Sequence, residues 1–312
     1  MGELVFLSGL QIHGHDERFG GFSGFVLDSR GRTLLAVSDN GFWMRAELQR
    51  DRTGIPRGLG SVVMGPIRDF RGDSLTPAGE DAEALAPLSG RLGPRLLVAF
   101  EHWHRLWTYP VGTHGPPFLA TMVAMAEPLR VPKMVLRHPA NRGIEAAVEL
   151  HPGRLLLFSE GASAPHHGGN ALQAWLVDIS SGSGSGQGAE RAQALALQPF
   201  EEGFAPTAAA LWPGCCVILL ERRYRVMTGV EAAVLAIPLG RIRPGALLKG
   251  RVLGRLAAPV TVDNFEGLWV ETNPDGRARI LLMSDDNYRR SQRTLLMTFL
   301  WANAPRLKPS SD

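Results

Sequence analysis

Short apolar runs separated by turn residues recur along the whole chain. In each copy a small or acidic residue opens an apolar strand, a turn rich in Pro and Gly follows, and a second apolar strand ends in Ser, Glu or Asp. Ser23-Gly24-Phe25-Val26-Leu27 leads to Leu34–Val37, Ser38 and Asp39. Asp81-Ala82-Glu83 leads to Leu96–Phe100 and Glu101. Gly143-Ile144-Glu145 leads to Leu155–Ser159 and Glu160. Pro206-Thr207 leads to Val217–Leu220, Glu221 and Arg222. Asp263-Asn264-Phe265-Glu266 leads to Ile280–Met283, Ser284, Asp285, Asp286 and Asn287. Strand starts at 23, 83, 145, 207 and 266 are 60, 62, 62 and 59 residues apart. Few stretches carry apolar residues at the helical spacing, so the pattern predicts an all-β chain.

A unit of about 60 residues with two to four short strands is close to a propeller blade with long loops. One blade cannot bury both its faces, so blades must close into a ring. The repeat predicts a single five-bladed β-propeller over residues 1–304. A sixth, degenerate blade is the alternative, because 105–140 and 223–262 have room for further strands. The run Ser180–Gly188 reads as a hairpin loop rather than a linker, because the period continues across it. Residues 305–312 read as a frayed tail.

Composition agrees with this picture. Gly 36 and Pro 22 of 312 residues favour turns and short strands. The longest apolar runs are near ten residues, as at Leu211–Leu220, and a membrane-spanning helix needs about 20, so the chain is not expected to span a membrane. The net charge is +3, but the arginines are scattered, which argues against a nucleic-acid partner and suits a small anionic or ester substrate. Cys215 and Cys216 are adjacent in an apolar run. If both lie in one strand they face opposite sides, and the expectation is two small buried thiols. The N-terminus lacks the features of a signal peptide, which leaves a cytoplasmic protein or one whose leader has been removed.

The candidate chemistry is acidic. In a propeller the inner strand of each blade lines the central channel. The strand tips therefore bring Asp39, Glu83, Glu101, Glu145, Glu160, Glu221, Glu266, Asp285 and Asp286 toward one mouth. So many partly buried acids need a counter-charge: a hard cation such as calcium, which takes 6–8 oxygen ligands, or arginine, with Arg222 next to Glu221. The densest group is Asp263-Asn264-Phe265-Glu266 with Ser284-Asp285-Asp286-Asn287. The metal-ligand set expected is Asp39, Glu83, Glu145, Asn264, Glu266, Asp285 and Asp286. Glu221, Arg222 and His102 are the expected catalytic residues. His102 and His104 flank Trp103 after Glu101, and either can reach the mouth. His13-Gly14-His15 has metal-binding spacing but no partner cluster, and His166-His167 sits in a Pro/Gly loop. No serine-hydrolase elbow, P-loop or dinucleotide fingerprint is present.

These residues carry a family resemblance. Asp81-Ala82-Glu83-Ala84-Leu85, Phe100-Glu101, Asn141-Arg142-Gly143-Ile144-Glu145, Ser159-Glu160-Gly161, Phe204-Ala205-Pro206-Thr207, Leu220-Glu221-Arg222, Asp263–Gly267 and Ser284–Asn287 with Gln292–Leu296 resemble the phytase-like family ("esterase-like activity of phytase"), over about residues 4–300. The resemblance implies a β-propeller, usually exported to the periplasm or secreted, with hydrolytic activity on phosphate or other esters. Two places depart from the family pattern. Pro206-Thr207-Ala208 stands where Pro-Thr-Asp is usual, and Phe100-Glu101-His102 where Phe-Glu-Arg is usual. Three readings follow. The first is a calcium-dependent ester or phosphoester hydrolase at the channel mouth, with Arg222 and Arg142 holding the ester. The second is a non-catalytic binding or scaffold propeller for a metal or envelope ligand. The third is a calcium-dependent lactonase using Glu266, Asn264 and Asp285.

Overall fold

The computed structural model describes residues 2–76, 79–89, 93–112, 118–164, 166–179 and 191–307. The loop at 180–188 and residues 308–312 lie outside them. Strand β1 (Leu4–Ile12) leads the chain but belongs to the last sheet. Blade 1 follows as β2 (Phe22–Leu27), β3 (Thr33–Ser38), β4 (Phe42–Arg50) and β5 (Pro56–Pro66). Blade 2 is β6 (Ala82–Leu88), β7 (Arg95–Phe100), β8 (Arg105–Pro110) and β9 (Glu127–Pro128), with a short helix at Leu119–Val123 before its last strand. Blade 3 is β10 (Ile144–His151), β11 (Arg154–Ser163), β12 (Leu172–Asp178) and β13 (Arg191–Gln198). Blade 4 is β14 (Ala205–Trp212), β15 (Cys216–Arg225) and β16 (Gly229–Pro238). The chain then lends β17 (Leu247–Lys249) to blade 3, parallel to β13, and returns β18 (Arg251–Leu256) to blade 4. Blade 5 is β19 (Asn264–Thr272), β20 (Ala278–Asp285) and β21 (Thr294–Trp301), and β1 completes it against β21. The residues with room for a sixth blade are absorbed by outer strands of blades 2, 3 and 4.

β2, β6, β10, β14 and β19 are the inner edges of their sheets, and each packs on the next around a closed ring. The blade faces meet in five apolar clusters. One joins blades 1 and 2 around Val37, Trp43, Val98 and Phe100; another joins blades 4 and 5 around Trp212, Ile218, Leu282 and Trp301. Three more fill the remaining interfaces. Fully burying one such side chain contributes roughly 1.5–3 kcal/mol, so the stability of the ring lies between blades rather than within any one of them. Pairing the N-terminal strand with the C-terminal one ties the ring shut. Pro305 and Leu307 are also held: Pro305 accepts a hydrogen bond from Trp212 Nε1 (3.0 Å), and Leu307 donates its N–H to the Gly276 carbonyl (2.9 Å).

The expectation of two free cysteines is corrected. Cys215 belongs to the turn that closes on Trp212, and β15 begins only at Cys216. Strand alternation therefore does not separate the side chains, and the two sulfurs are joined in a disulfide.

Candidate metal centre at the channel mouth

Each inner strand carries a β-bulge near its start. The register slips between Phe22 and Gly24, Ala82 and Ala84, Ile144 and Ala146, Pro206 and Ala208, and Phe265 and Gly267. The extra residue in each bulge is Ser23, Glu83, Glu145, Thr207 or Glu266. A bulge re-aims its side chain, and this one recurs in all five blades, so these residues form an inner ring. Ser23, Glu145, Thr207 and Glu266 all line the narrow channel below the mouth.

A second ring follows from backbone pairing across the hairpins. Gly21 faces Asp39, Asp81 faces Glu101, Gly143 faces Glu160, Ala205 faces Arg222 and Asn264 faces Asp285. The rim is thus Asp39, Glu101, Glu160, Arg222 and Asp285: four acids and one arginine. Gly21 is required there, because it has φ +63° and a Cβ on it would meet Asp39 Oδ1 at 2.2 Å.

The two rings hold seven carboxylates, and Asp81 adds an eighth beside Glu83. One donor atom from each of Asp81, Glu83 and Glu101 lies within 4.8 Å of the other two, and the same holds for Glu101, Glu145 and Glu160. Two carboxylate charges at that distance repel by about 3.5 kcal/mol at an effective dielectric of about 20. A fully charged triad therefore carries roughly 10 kcal/mol of repulsion, comparable to the whole stability of a domain. Protons take up part of this charge. Burial, with the neighbouring Glu145, Glu266 and Asp81, drives the Glu83 carboxyl well above its usual range; burial, with Glu160 and Glu101, does the same to Glu145. Glu101 is also raised by burial, against the pull of the Gly143 N–H that it accepts.

The half of the mouth formed by blades 4, 5 and 1 is arranged differently. Arg222 pairs with Glu266 (3.2 Å), and Asn264 Nδ2 donates to Glu266 Oε1 (2.8 Å) and Asp285 Oδ2 (3.3 Å). Burial lifts Glu266 to about 8 in spite of Arg222, Asp39 to about 7 with Asp285 and Asp81 beside it, and Asp285 to about 6 against the Asn287 N–H. Asp39 Oδ1 and Arg222 Nε are buried with no hydrogen-bond partner. Asp286 is engaged elsewhere, accepting from Gly21 N, Tyr288 N and Thr294 Oγ1. Asp263, also buried, pairs with the more exposed Arg293 (3.1 Å).

Among the expected site residues, Asp39, Glu83, Glu145, Asn264, Glu266, Asp285 and Arg222 converge on the mouth, joined by Glu101 and Glu160. His102 stands at its edge, with Nε2 3.3 Å from Asp81 Oδ2. Glu221 does not join them. It faces Pro206 across the hairpin, one position before the rim residue Arg222. The same position in blades 1, 3 and 5 holds Ser38, Ser159 and Ser284, each accepting a local backbone N–H through its hydroxyl. Glu221 likewise accepts the Phe200 N–H (2.7 Å), fully buried, and burial lifts it to about 7. Ser159 also contacts His138 Nδ1 at 3.1 Å, while His138 Nε2 is turned to the Val135 carbonyl. That pair reads as one more blade brace, because Ser159 is fully buried. His104 Nε2 meets the Pro139 carbonyl (3.0 Å). His13 and His15 are exposed. Asp81, outside the expected set, joins the first triad; it opens the second repeat and stands where the fifth has Asn264, which is the signal in the sequence.

The phytase-like family, described as esterase-like activity of phytase, matches residues 17–288. The chain belongs to this family. The match spans every residue of both rings. A search of curated proteins finds no match. Among solved structures, the PQQ-bound aldose sugar dehydrogenase from Streptomyces coelicolor is 12% identical, with a TM-score of 0.44 over 94% of this chain and 98% of that one. The structure of U3-55K is 8% identical, with a TM-score of 0.43 over 93% and 98%. The Cps50 (Swd1) β-propeller domain from Myceliophteria thermophila is 11% identical, with a TM-score of 0.40 over 96% and 88%. Among the described residues no helix is long and apolar enough to cross a membrane.

Proposed function

We propose that this phytase-like propeller hydrolyses phosphoric or other esters at its channel mouth, with the mouth acids holding a hard divalent cation, calcium before others. The observation that carries this reading is the pair of overlapping carboxylate triads sharing Glu101. Among the described residues no Arg or Lys forms an ion pair with Asp81, Glu83, Glu101, Glu145 or Glu160, and His102 is the basic side chain within 4 Å of Asp81. The donors are oxygens alone, which suits calcium or magnesium over softer metals. Asp81, Glu83, Glu101, Glu145 and Glu160 would hold the ion.

When bound, the cation supplies Lewis acidity toward a phosphoryl or carbonyl oxygen and positive charge in a field that otherwise repels anions. The chain's own groups do the rest. Arg222 has an unpartnered Nε and offers it to a substrate oxygen. Arg142 is exposed, and its stem lies over Gly161 beside Glu160, so it holds an anionic group from above. His102 beside Asp81 is the group that moves a proton at the mouth edge.

The test is metal analysis, then melting with EDTA or calcium, then a panel of phosphate, carboxyl and lactone esters. At calcium a hundredfold above its Kd, the gain in stability is about 2.7 kcal/mol. Glu101→Gln removes a member of both triads and should abolish that gain together with turnover. The amide introduced by that substitution keeps an oxygen acceptor for Gly143 N. Absence of metal and of any calcium-dependent shift sinks the proposal. Bound metal without turnover of any ester selects the binding propeller instead; turnover of lactones alone selects the lactonase.

A further inference from the structure

The end of the propeller away from the mouth holds an open cleft of about 1840 Å³ across blades 5, 1 and 2. It is not the rear of the mouth, because the channel between them encloses only about 10 Å³, about the least that holds one water. Its walls are cationic. Seven arginines, among them Arg30, Arg32, Arg50, Arg52, Arg95 and Arg279, face four acids, Asp28, Glu47, Asp51 and Glu271.

Part of that charge is spent on building the wall. Glu271 takes Arg50 at 2.7 Å and Arg279 at 3.0 Å. Arg50 also donates to the Gly31 and Gly54 carbonyls, and Arg279 to those of Gly54 and Thr53. This clamp fixes two turns, 28–33 and 50–54, against blade 5. The acids of those turns bond their own backbones: Asp28 accepts from Arg32 N and Thr33 N, and Asp51 from Thr53 N and Ile55 N. Arg95 is taken by Glu127. Arg30, Arg32 and Arg52 remain exposed on the clamped turns, with no ion pair among the described residues. In addition, Arg279 is 4% exposed and its Nε is buried without a hydrogen-bond partner at the cleft wall.

We propose that this cleft is a second binding site, separate from the mouth, for a multiply charged oxyanion bearing phosphate or carboxylate groups. Three free guanidiniums on rigid turns match several oxyanion groups at once. The cleft exceeds the 300–1,000 Å³ of an ordinary small-ligand pocket, so it accommodates an oligoanion rather than a single ion.

The experiment is calorimetric titration of the whole protein after metal is stripped with EDTA and the chelator is removed by exchange into resin-treated buffer, which keeps the mouth metal-free and repulsive to anions. The probes are inorganic tripolyphosphate and, separately, citrate. Tripolyphosphate is expected to bind, with affinity falling steeply as salt rises from about 50 to about 300 mM. Citrate binding equally well assigns the site to oxyanions of either kind; citrate failing to bind assigns it to phosphates. Arg30→Ser/Arg32→Ser/Arg52→Ser is expected to weaken binding at least tenfold without lowering the melting temperature, because all three side chains are exposed and outside the clamp. Glu145→Gln at the mouth should leave the affinity unchanged. If the triple variant melts early, Arg52→Glu alone is read in its place, with the same expected loss. The proposal is overturned if neither anion binds, if the affinity ignores salt, or if the arginine variants bind as the wild type does.

Discussion

The two ends of this propeller handle buried acid in opposite ways. At the far end Glu271 is held by two arginines and the neighbouring carbonyls are bonded by the same guanidiniums. At the mouth, among the described residues, eight carboxylates meet one ion-paired arginine, Arg222, whose partner is Glu266. The chain has arginine in abundance, so the bare triads around Glu101 are not a shortage of cations. At the far end Glu271 finds its counter-charge within the fold, and the arginines left over, Arg30, Arg32 and Arg52, are exposed. The mouth leaves its counter-charge to protons or to a bound cation, which is what a ligand site requires.

Removing one partner from each end gives the largest expected contrast. Glu271→Ala strands the buried Arg279 and is expected to lower stability by about 3–5 kcal/mol in denaturant unfolding. Glu145→Gln relieves repulsion at the mouth and should leave the metal-free protein at least as stable as the wild type. A harmless Glu271→Ala, or a metal-free Glu145→Gln that is strongly destabilised, breaks the comparison.

The pH dependence comes next in size. Asp39, Glu266 and Asp285 titrate at about 7, 8 and 6 in the folded protein, above the usual carboxyl range near 4 of the unfolded chain. The folded state therefore binds more protons than the unfolded one between those values. Its stability falls as pH rises through the folded pKa values. In EDTA the melting temperature at pH 6.5 should exceed that at pH 8.0, by the equivalent of roughly 2–3 kcal/mol. Saturating calcium should flatten the slope, because bound cation replaces the protons. A metal-free protein that gains stability over this range contradicts the assignment of charge to the mouth.

The smallest effect sharpens the rule. Arg57 pairs with Asp51 at the far end but is exposed, so Arg57→Ala should change unfolding by less than about 1 kcal/mol. A loss as large as that of Glu271→Ala would mean that burial does not set the value of these pairs.

Much of the site was legible in one dimension because the fold is a repeat. The starts spaced 60, 62, 62 and 59 residues apart are the five bulge positions, Ser23, Glu83, Glu145, Thr207 and Glu266. Repetition with an acid at one place per unit implies convergence at a channel end, whatever the details of the blades. Register was harder to read. Leu220-Glu221-Arg222 offers an acid where the other units have one, but the β14–β15 pairing puts Arg222 on the rim and Glu221 beneath Phe200. A one-residue slip moves a side chain to the opposite face, and apolar patterning on both sides of a buried strand does not resolve it.

The amino-acid sequence by itself determined the architecture, the count of five blades and the end at which the acids gather, because these depend on periodicity and strand pattern alone. Only the tertiary structure decided which acids face one another, which are engaged by backbone or arginine, and that turns far apart in sequence build an arginine-walled cleft at the other end. It also decided the state of Cys215 and Cys216, where the boundary between turn and strand falls between the two residues. Those outcomes depend on distances between blades, and an inter-blade distance is set by the packing of the whole ring.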